Sequence, residues 1–403
     1  MIKELLNKYG SPLYVYDKDI LINRCNDMIN FKNKLQDKLN INISIHYSIK
    51  ANENLTLLKI IRECGLKVDS MSELELHLAT LAGFTNNEIL YVCNNISKEE
   101  MKKVYDSDVL ICLDSISQVE TWGKNFPNTS IMVRINTGVL GVGHSDKVIT
   151  SGKETKFGIS PLDINSLFDI TKKYNLNIIG VHEHLGSLFL DDKIDNYLNG
   201  IKSFLDVVEK YFKDIEIIDL GGGFGVAYKE DESNLNLDLL CDKLSNLISN
   251  YTKNLKNIKE IKFEPGRYIV CESGKLYGTI TSVKKFNNYY IGTDIGMNDL
   301  IRPAMYDAYH KIEVFPKRNT NLINANFCGN ICESTDVLGK NRTINIPEIN
   351  DNVVIYNAGA YGYSMSSNYT GRLRPAEILL DNGKDILIRK KETIEDIIKL
   401  ENL

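Results

Sequence analysis

Ile43-Ser44-Ile45-His46-Tyr47-Ser48-Ile49-Lys50-Ala51-Asn52 begins as an apolar run and closes on a lysine. Read as a strand over Ile43–Ile49, it delivers the Lys50 amine to its own C-terminal end. Desolvation there disfavours the ammonium form and turns the amine into a nucleophile able to form an imine. One such lysine alone more often snorkels to water. The pattern of an apolar strand ending on a chemically useful residue recurs down the chain, and that recurrence decides the reading.

Seven further strands follow, at Leu66–Ser70, Ile89–Cys93, Val109–Asp114, Ser130–Asn136, Ile178–His184, Ile215–Leu220 and Ile261–Glu264. Helical periodicity fills the intervals, over Leu55–Cys64, Ser72–Ala82, Lys98–Tyr105, Ser117–Lys124, Asp163–Lys173, Asp195–Tyr211 and Leu235–Leu255. Eight strands alternating with helices, one unit per roughly 30 residues, predict a closed (β/α)8, TIM-like barrel. An open doubly wound sheet has the same local pattern but no reason to stop at eight. Lys50, Asp69, Asn94, Asp114, Arg134 with Asn136, His184, the glycines from Gly221, and Glu264 all fall at or just past strand C-terminal ends. Barrel enzymes assemble their sites on that face.

After Val270 the pattern shortens to strands without crossover helices, at Tyr277–Val283, Tyr289–Thr293, Lys311–Phe315, Leu322–Phe327, Val353–Tyr356, Ile378–Leu380 and Asp385–Ile388. Asp381-Asn382-Gly383 carries a hairpin signal, and Thr393 caps a closing helix over residues 393–403. Pro12–Tyr16 reads as an early strand belonging with this second set. The fold class is therefore α/β plus all-β: a barrel over residues 25–271, and a β-sandwich or barrel domain from 1–24 plus 272–403.

The chain carries 48 Lys and Arg against 53 Asp and Glu, with no basic block, so a nucleic-acid or anionic-membrane partner has no electrostatic support. No stretch approaches the ~20 apolar residues of a membrane span, and Met1–Gly10 lacks the core of a signal peptide. The eight cysteines include no C-x-x-C pair, which argues for reduced thiols, no zinc site and a cytoplasmic setting.

Ile217-Ile218-Asp219-Leu220-Gly221-Gly222-Gly223-Phe224-Gly225 places a glycine loop after the seventh strand, and Phe263-Glu264-Pro265-Gly266-Arg267 a tight turn after the eighth. A glycine triplet alone is more often a plain turn. Here backbone N–H groups can converge on one anion at the position where barrels hold phosphate. An imine-forming lysine beside a phosphate cradle points to pyridoxal phosphate, whose ring works best with its nitrogen paired to an acid. Glu264 is placed to be that acid, its plainer reading being a salt bridge with Arg267. His184, in His182-Glu183-His184, is placed to stack on the ring. Strand alternation is read as turning His182 away from it, and the H-x-H pair is a weak metal signal, so no metal is expected.

An ordered set of motifs resembles the pyridoxal-phosphate decarboxylase family that includes the diaminopimelate and ornithine decarboxylases, with its alanine-racemase-like barrel. The set runs through Tyr14-Val15-Tyr16-Asp17, Tyr47-Ser48-Ile49-Lys50-Ala51-Asn52, Val68-Asp69-Ser70, Gly143-His144, Lys156-Phe157-Gly158, His184-Leu185-Gly186-Ser187, the glycine triplet and Glu264-Pro265-Gly266-Arg267. It continues through Gly296-Met297-Asn298-Asp299, Arg302-Pro303-Ala304-Met305-Tyr306, Cys332-Glu333-Ser334, Gly359-Ala360-Tyr361-Gly362 and Ser364-Met365-Ser366-Ser367-Asn368-Tyr369. Departures fall at Leu188, Cys328-Gly329-Asn330-Ile331, Thr335 and Thr370-Gly371-Arg372, none at a residue with a named role.

The resemblance implies Lys50 as the imine lysine, Asp69 as a further cofactor-binding residue, His184 over the ring and Glu264 at the pyridine nitrogen. It implies Gly223, Gly266, Arg267 and Tyr361 at the phosphate. Arg267, Arg302, Tyr306 and Tyr361 would contact substrate carboxylates, Glu333 the distal ammonium, and Cys332 would donate a proton. In the family the last two enter from the neighbouring subunit, which implies a homodimer with shared active sites. The implied reaction is decarboxylation of meso-2,6-diaminopimelate to L-lysine, closing lysine biosynthesis, with the glycine-rich stretch Gly138–His144 closing over the site. D-ornithine, D-lysine or carboxynorspermidine are alternative substrates, and a non-catalytic regulator on the same fold is the other class.

Overall fold

The polar row Ser44, His46 and Ser48 alternates with Ile43, Ile45 and Tyr47 along β1 (Asn42–Ser48), and both rows are buried. Such a strand needs cover on both faces, which a closed parallel barrel provides. The computed structural model, which describes residues 1–139, 142–143, 151–152 and 155–401, has that barrel. Its further strands are β2 (Lys67–Ser70), β3 (Ile89–Val92), β4 (Leu110–Leu113), β5 (Ser130–Arg134), β6 (Asn177–His182), β7 (Ile217–Asp219) and β8 (Glu260–Phe263). Each pairs in parallel with the next, and β8 returns to β1 in the register Ile261↔Ile43.

Several strands stop short of the expected ends. β5 ends at Arg134 and β6 at His182, so Asn136 and His184 stand on loops; Glu264 lies one residue past β8. Past these points pairing continues only as isolated contacts, such as the Ile135–Ile159 bridge. Lys50 sits in a single 3-10 turn, Ile49–Ala51, directly after β1. A 22-residue helix, Lys18–Leu39, precedes β1 and has no counterpart in the sequence reading. Its buried Cys25, Met28, Phe31 and Leu35 are interleaved with Asn, Asp and Lys, which dilutes the apolar periodicity.

The chain divides into two compact units: Ile22–Ala227 with Ser233–Ile269, the barrel unit, and Met1–Leu21 with Tyr228–Glu232 and Val270–Leu403. Residues 228–232 therefore belong to the second unit although they fall inside the barrel's span of chain. That second unit is built on a nine-stranded sheet. Gly274–Lys285 is its spine, pairing antiparallel with Leu13–Asp17, Tyr289–Thr293 and Asn352–Ile355. Leu13–Asp17 also pairs in parallel with Ala376–Asp381, so the early strand lies within this sheet. Ala376–Asp381 and Lys384–Arg389 form the Asn-Gly hairpin. Val337–Asn345, absent from the sequence reading, pairs with Leu322–Cys328. Leu5, Leu6, Leu13, Val15, Tyr277, Val354, Ala376 and Ile378 form a core cluster of the unit. Thr393 does cap the last helix, but that helix covers only Ile394–Ile398.

Candidate active site

The strand ends of the barrel gather most of the residues singled out above. Lys50 is half-buried in the turn after β1, and the buried Asp69 is the penultimate residue of the adjacent β2. Burial pushes the Asp69 carboxyl up to about 7, while the Lys50 charge and a hydrogen bond from Ser48 oppose the rise. Ser48 Oγ lies 3.0 Å from both Asp69 Oδ2 and the Glu264 carbonyl, tying β1 to β2 and to the turn after β8.

Glu264 stands 2% exposed, and its Oε2 lies 3.1 Å from His182 Nε2. Asp219, at the end of β7, completes a cluster in which the ligand atoms of His182, Asp219 and Glu264 lie within 4.8 Å of one another. His182 thus groups with these acids, at the last residue of β6, while His184 stands on the loop beyond it. Burial holds His182 neutral, down at about 3. Burial, reinforced by the neighbouring Glu264 charge, pushes Asp219 up to about 8, and burial raises Glu264 as well. Glu264 Oε1 and Asp219 Oδ2 have no hydrogen-bond donor among the described residues, so a proton held on either carboxyl relieves both.

The glycine loop packs directly on this cluster. A Cβ at Gly222 would sit 2.1 Å from the Glu264 carbonyl oxygen, so no side chain fits there. Gly223 takes φ 99, a left-handed conformation that favours glycine. The Gly222 N–H donates to His184 Nδ1 at 2.9 Å, which orients the imidazole from the loop itself. Burial and the Lys50 charge drive the His184 pKa far down, so the ring is neutral. Gly266 is packed against Ser48 and Ala51, and Arg267 donates from Nη2 to Ser187 Oγ at 3.2 Å.

In the second unit, Arg302 is 2% exposed in the short helix Arg302–Tyr306, and Tyr306 is half-buried at its end. Cys332 and Glu333 are exposed, on the loop between Leu322–Cys328 and Val337–Asn345. Buried Asp336 pins that loop: Oδ1 accepts from Met297 N and Oδ2 from Ile331 N, both at 2.7 Å. The Tyr369 hydroxyl donates to the Glu333 carboxylate. Tyr361 adopts φ 56, which costs roughly 1–2 kcal/mol for an L residue and is a conformation that concentrates at functional sites.

The sequence reading missed His182, Asp219 and Asp336. Asp219 was visible as an acid at a strand end before the triplet, whereas nothing near Asp336 marked it as a clamp. Of the expected closing segment, residues 140, 141 and 144 lie outside the described residues, as does the side chain of Val142.

A pyridine ring needs a paired acid, and a phosphate needs converging backbone N–H groups. The orphaned Glu264 Oε1 and a loop with no room for a Cβ fit both halves of pyridoxal phosphate. With a lysine at a strand end of the same barrel, they define a pyridoxal-phosphate enzyme. Residues 26–271 match the family described as pyridoxal-dependent decarboxylase, pyridoxal binding domain. The diaminopimelate decarboxylase of Methanothermobacter thermautotrophicus is 32% identical over 409 residues, covering 99% of this chain and 94% of that protein. The one from Buchnera aphidicola subsp. Baizongia pistaciae is 35% identical over 421 residues, covering 99% and 96%. The crystal structure of diaminopimelate decarboxylase from Helicobacter pylori complexed with L-lysine aligns with a TM-score of 0.88 at 29% identity, covering 99% of this chain and 98% of that one. The chain belongs to the pyridoxal-dependent decarboxylases, and it is similar over nearly its whole length to these diaminopimelate decarboxylases. No helix among the described residues is long and apolar enough to cross a membrane.

Proposed function

We propose that this chain decarboxylates meso-2,6-diaminopimelate to L-lysine and carbon dioxide, as the closing step of lysine biosynthesis in the cytoplasm. The observation that carries the reading is the buried, half-orphaned Glu264 carboxyl beneath the glycine loop. Pyridoxal phosphate, when bound, supplies the electron sink for the pair released as carbon dioxide leaves. Lys50 would hold it covalently through its side-chain amine. Glu264 would pair with the pyridine nitrogen, and His184, oriented by Gly222, would lie against the ring. Gly223, Gly266, Arg267 and Tyr361 would hold the phosphate.

Arg267, Arg302, Tyr306 and Tyr361 bind carboxylates, for which guanidinium forks are suited. Glu333 takes the distal ammonium, and Cys332 donates a proton to the carbon that lost its carboxylate. Most of the cofactor groups are on the barrel and most of the substrate groups on the second unit, with Arg267 and Tyr361 as the exceptions. The enzyme is a homodimer in which the partner subunit's Cys332 and Glu333 complete each site. The test is carbon dioxide release from meso-diaminopimelate, D-lysine, D-ornithine and carboxynorspermidine at equal concentrations. The reading expects the first to be turned over far better than the rest; comparable turnover of D-lysine or D-ornithine reassigns the substrate.

A further inference from the structure

Arg302 does not stand alone in the second unit. Its Nη1 donates to His310 Nε2 at 2.8 Å and to the Tyr228 hydroxyl at 3.1 Å. The guanidinium carbon also lies over the Tyr228 ring, 5.0 Å from its centroid. The Tyr228 and His310 rings meet edge to face at 5.3 Å and 89°. Beyond them, His310 Nδ1 is 2.9 Å from the Tyr356 carbonyl oxygen, and the Tyr228 hydroxyl is 3.0 Å from Cys271 Sγ. His310 is 0% exposed and Tyr228 is 8% exposed.

The hydrogens in this cluster follow from its donors and acceptors. A carbonyl oxygen only accepts, so His310 Nδ1 carries a hydrogen. A guanidinium only donates, so Nε2 offers a lone pair. His310 is therefore the neutral Nδ1–H tautomer, anchored to the backbone on one side and holding the arginine on the other. Nη1 has two hydrogens, and His310 and Tyr228 account for both. With the Tyr228 ring beneath the guanidinium, its plane and its rotation are both set.

We infer that His310 and Tyr228 are positioning residues that set the orientation of Arg302, and through it the preference for a substrate bearing a second carboxylate. The inference rests on the proposed role of Arg302 as the grip on the carboxylate that survives in the product. A fork that meets a carboxylate in two places loses much of its grip when misplaced; a displacement of about 1 Å at a binding group can cost on the order of 10²-fold. Tyr228 reaches Arg302 only because residues 228–232 leave the barrel's span and join the second unit.

The test uses the purified holoenzyme and three ligands: meso-diaminopimelate, L-lysine, which keeps the far carboxylate, and D-lysine, which lacks it. His310→Leu is expected to raise KM for meso-diaminopimelate about tenfold or more, with kcat changed much less. The Kd of L-lysine, read from the absorption of the bound cofactor, should rise in parallel, while the inhibition constant of D-lysine stays within about twofold. His310→Gln, whose amide can both accept and donate, should recover most of the loss. Tyr228→Phe should raise KM a few-fold. If His310→Leu does not accumulate as folded holoenzyme, His310→Asn replaces it, since the shorter amide falls short of Arg302, with the same expected rise.

Unchanged KM and L-lysine affinity in these variants, while Arg302→Leu impairs both, would overturn the inference and leave the reading of Arg302 intact. Equal weakening of L-lysine and D-lysine would also overturn it, because the role of His310 would then be structural. An Arg302→Leu enzyme with wild-type KM would remove the carboxylate-grip reading itself.

Discussion

His182 Nε2 lies 3.1 Å from Glu264 Oε2, and neither side chain is more than 2% exposed. With Asp219 beside them, three buried titratable groups share one space. Burial holds the histidine neutral and raises both acids, with the Glu264 charge adding to the rise at Asp219. The cluster therefore retains a proton where an unfolded chain would have lost it. The acid proposed to pair with a pyridine nitrogen is in this way kept ready without a second full charge next to it.

That protonation has a consequence for stability. Between the ordinary carboxylate range near 4 and the raised value of about 8 at Asp219, the folded protein binds more protons than the unfolded chain. A raised carboxyl lowers stability as pH climbs through that window, so cofactor-free protein should unfold at a lower urea concentration at pH 8.5 than at pH 5.5. Asp219→Asn, which keeps an acceptor for the Gly221 N–H, should shrink the difference. Equal pH dependence in the variant and the parent would mean that Asp219 is ionised throughout.

The Lys50 assignment is tested by chemistry. Borohydride reduction of the holoenzyme, followed by peptide mapping, should place the cofactor's mass on the peptide containing Lys50. Lys50→Ala should still bind the cofactor non-covalently, because the glycine loop and Glu264 are untouched. Label recovered on another lysine rules the assignment out.

Arg302 bears on substrate choice. Replacing a buried arginine leaves its charged partner unpaired, so Arg302→Ala should lower kcat/KM for meso-diaminopimelate by about 10²–10³-fold. The slow turnover of D-lysine should change far less, since it has no second carboxylate to lose. Parallel losses on both would make Arg302 a structural residue.

Shared active sites predict complementation. Lys50→Ala and Cys332→Ala should each be nearly inactive alone. After subunit exchange, about half the dimers are mixed and each has one intact site of two, so about one quarter of wild-type activity should return. Exchange verified by mass with no recovered activity would place Cys332 in its own chain's site. Asp336 supplies a companion measurement: Asp336→Ala frees Met297 N and Ile331 N, and should loosen the Cys332 loop and slow the proton-donating step.

The types and order of the elements were legible in the sequence because they follow from local rules. Period-two and period-3.6 patterns marked all eight barrel strands and seven of the helices between them, and Gly221–Gly223 announced its loop by composition alone. Lys18–Leu39 was missed because polar residues dilute its apolar stripe, and Val337–Asn345 because only part of that strand is buried. The site was legible wherever one residue at one strand end carries the chemistry, as Lys50 and Glu264 do.

Tertiary structure alone decided the pairings and the electrostatics. His182 and Glu264 are 82 residues apart, and Tyr228 and Arg302 are 74 apart, so no local pattern relates them. Ser44, His46 and Ser48 read as polar interruptions in an apolar run, yet closure of the barrel buries them with Lys262 and Asp69 as partners. A residue's type and spacing are properties of the chain. The dielectric around it, and therefore whether Asp219 or Glu264 keeps its proton, is set by what the rest of the fold places against it.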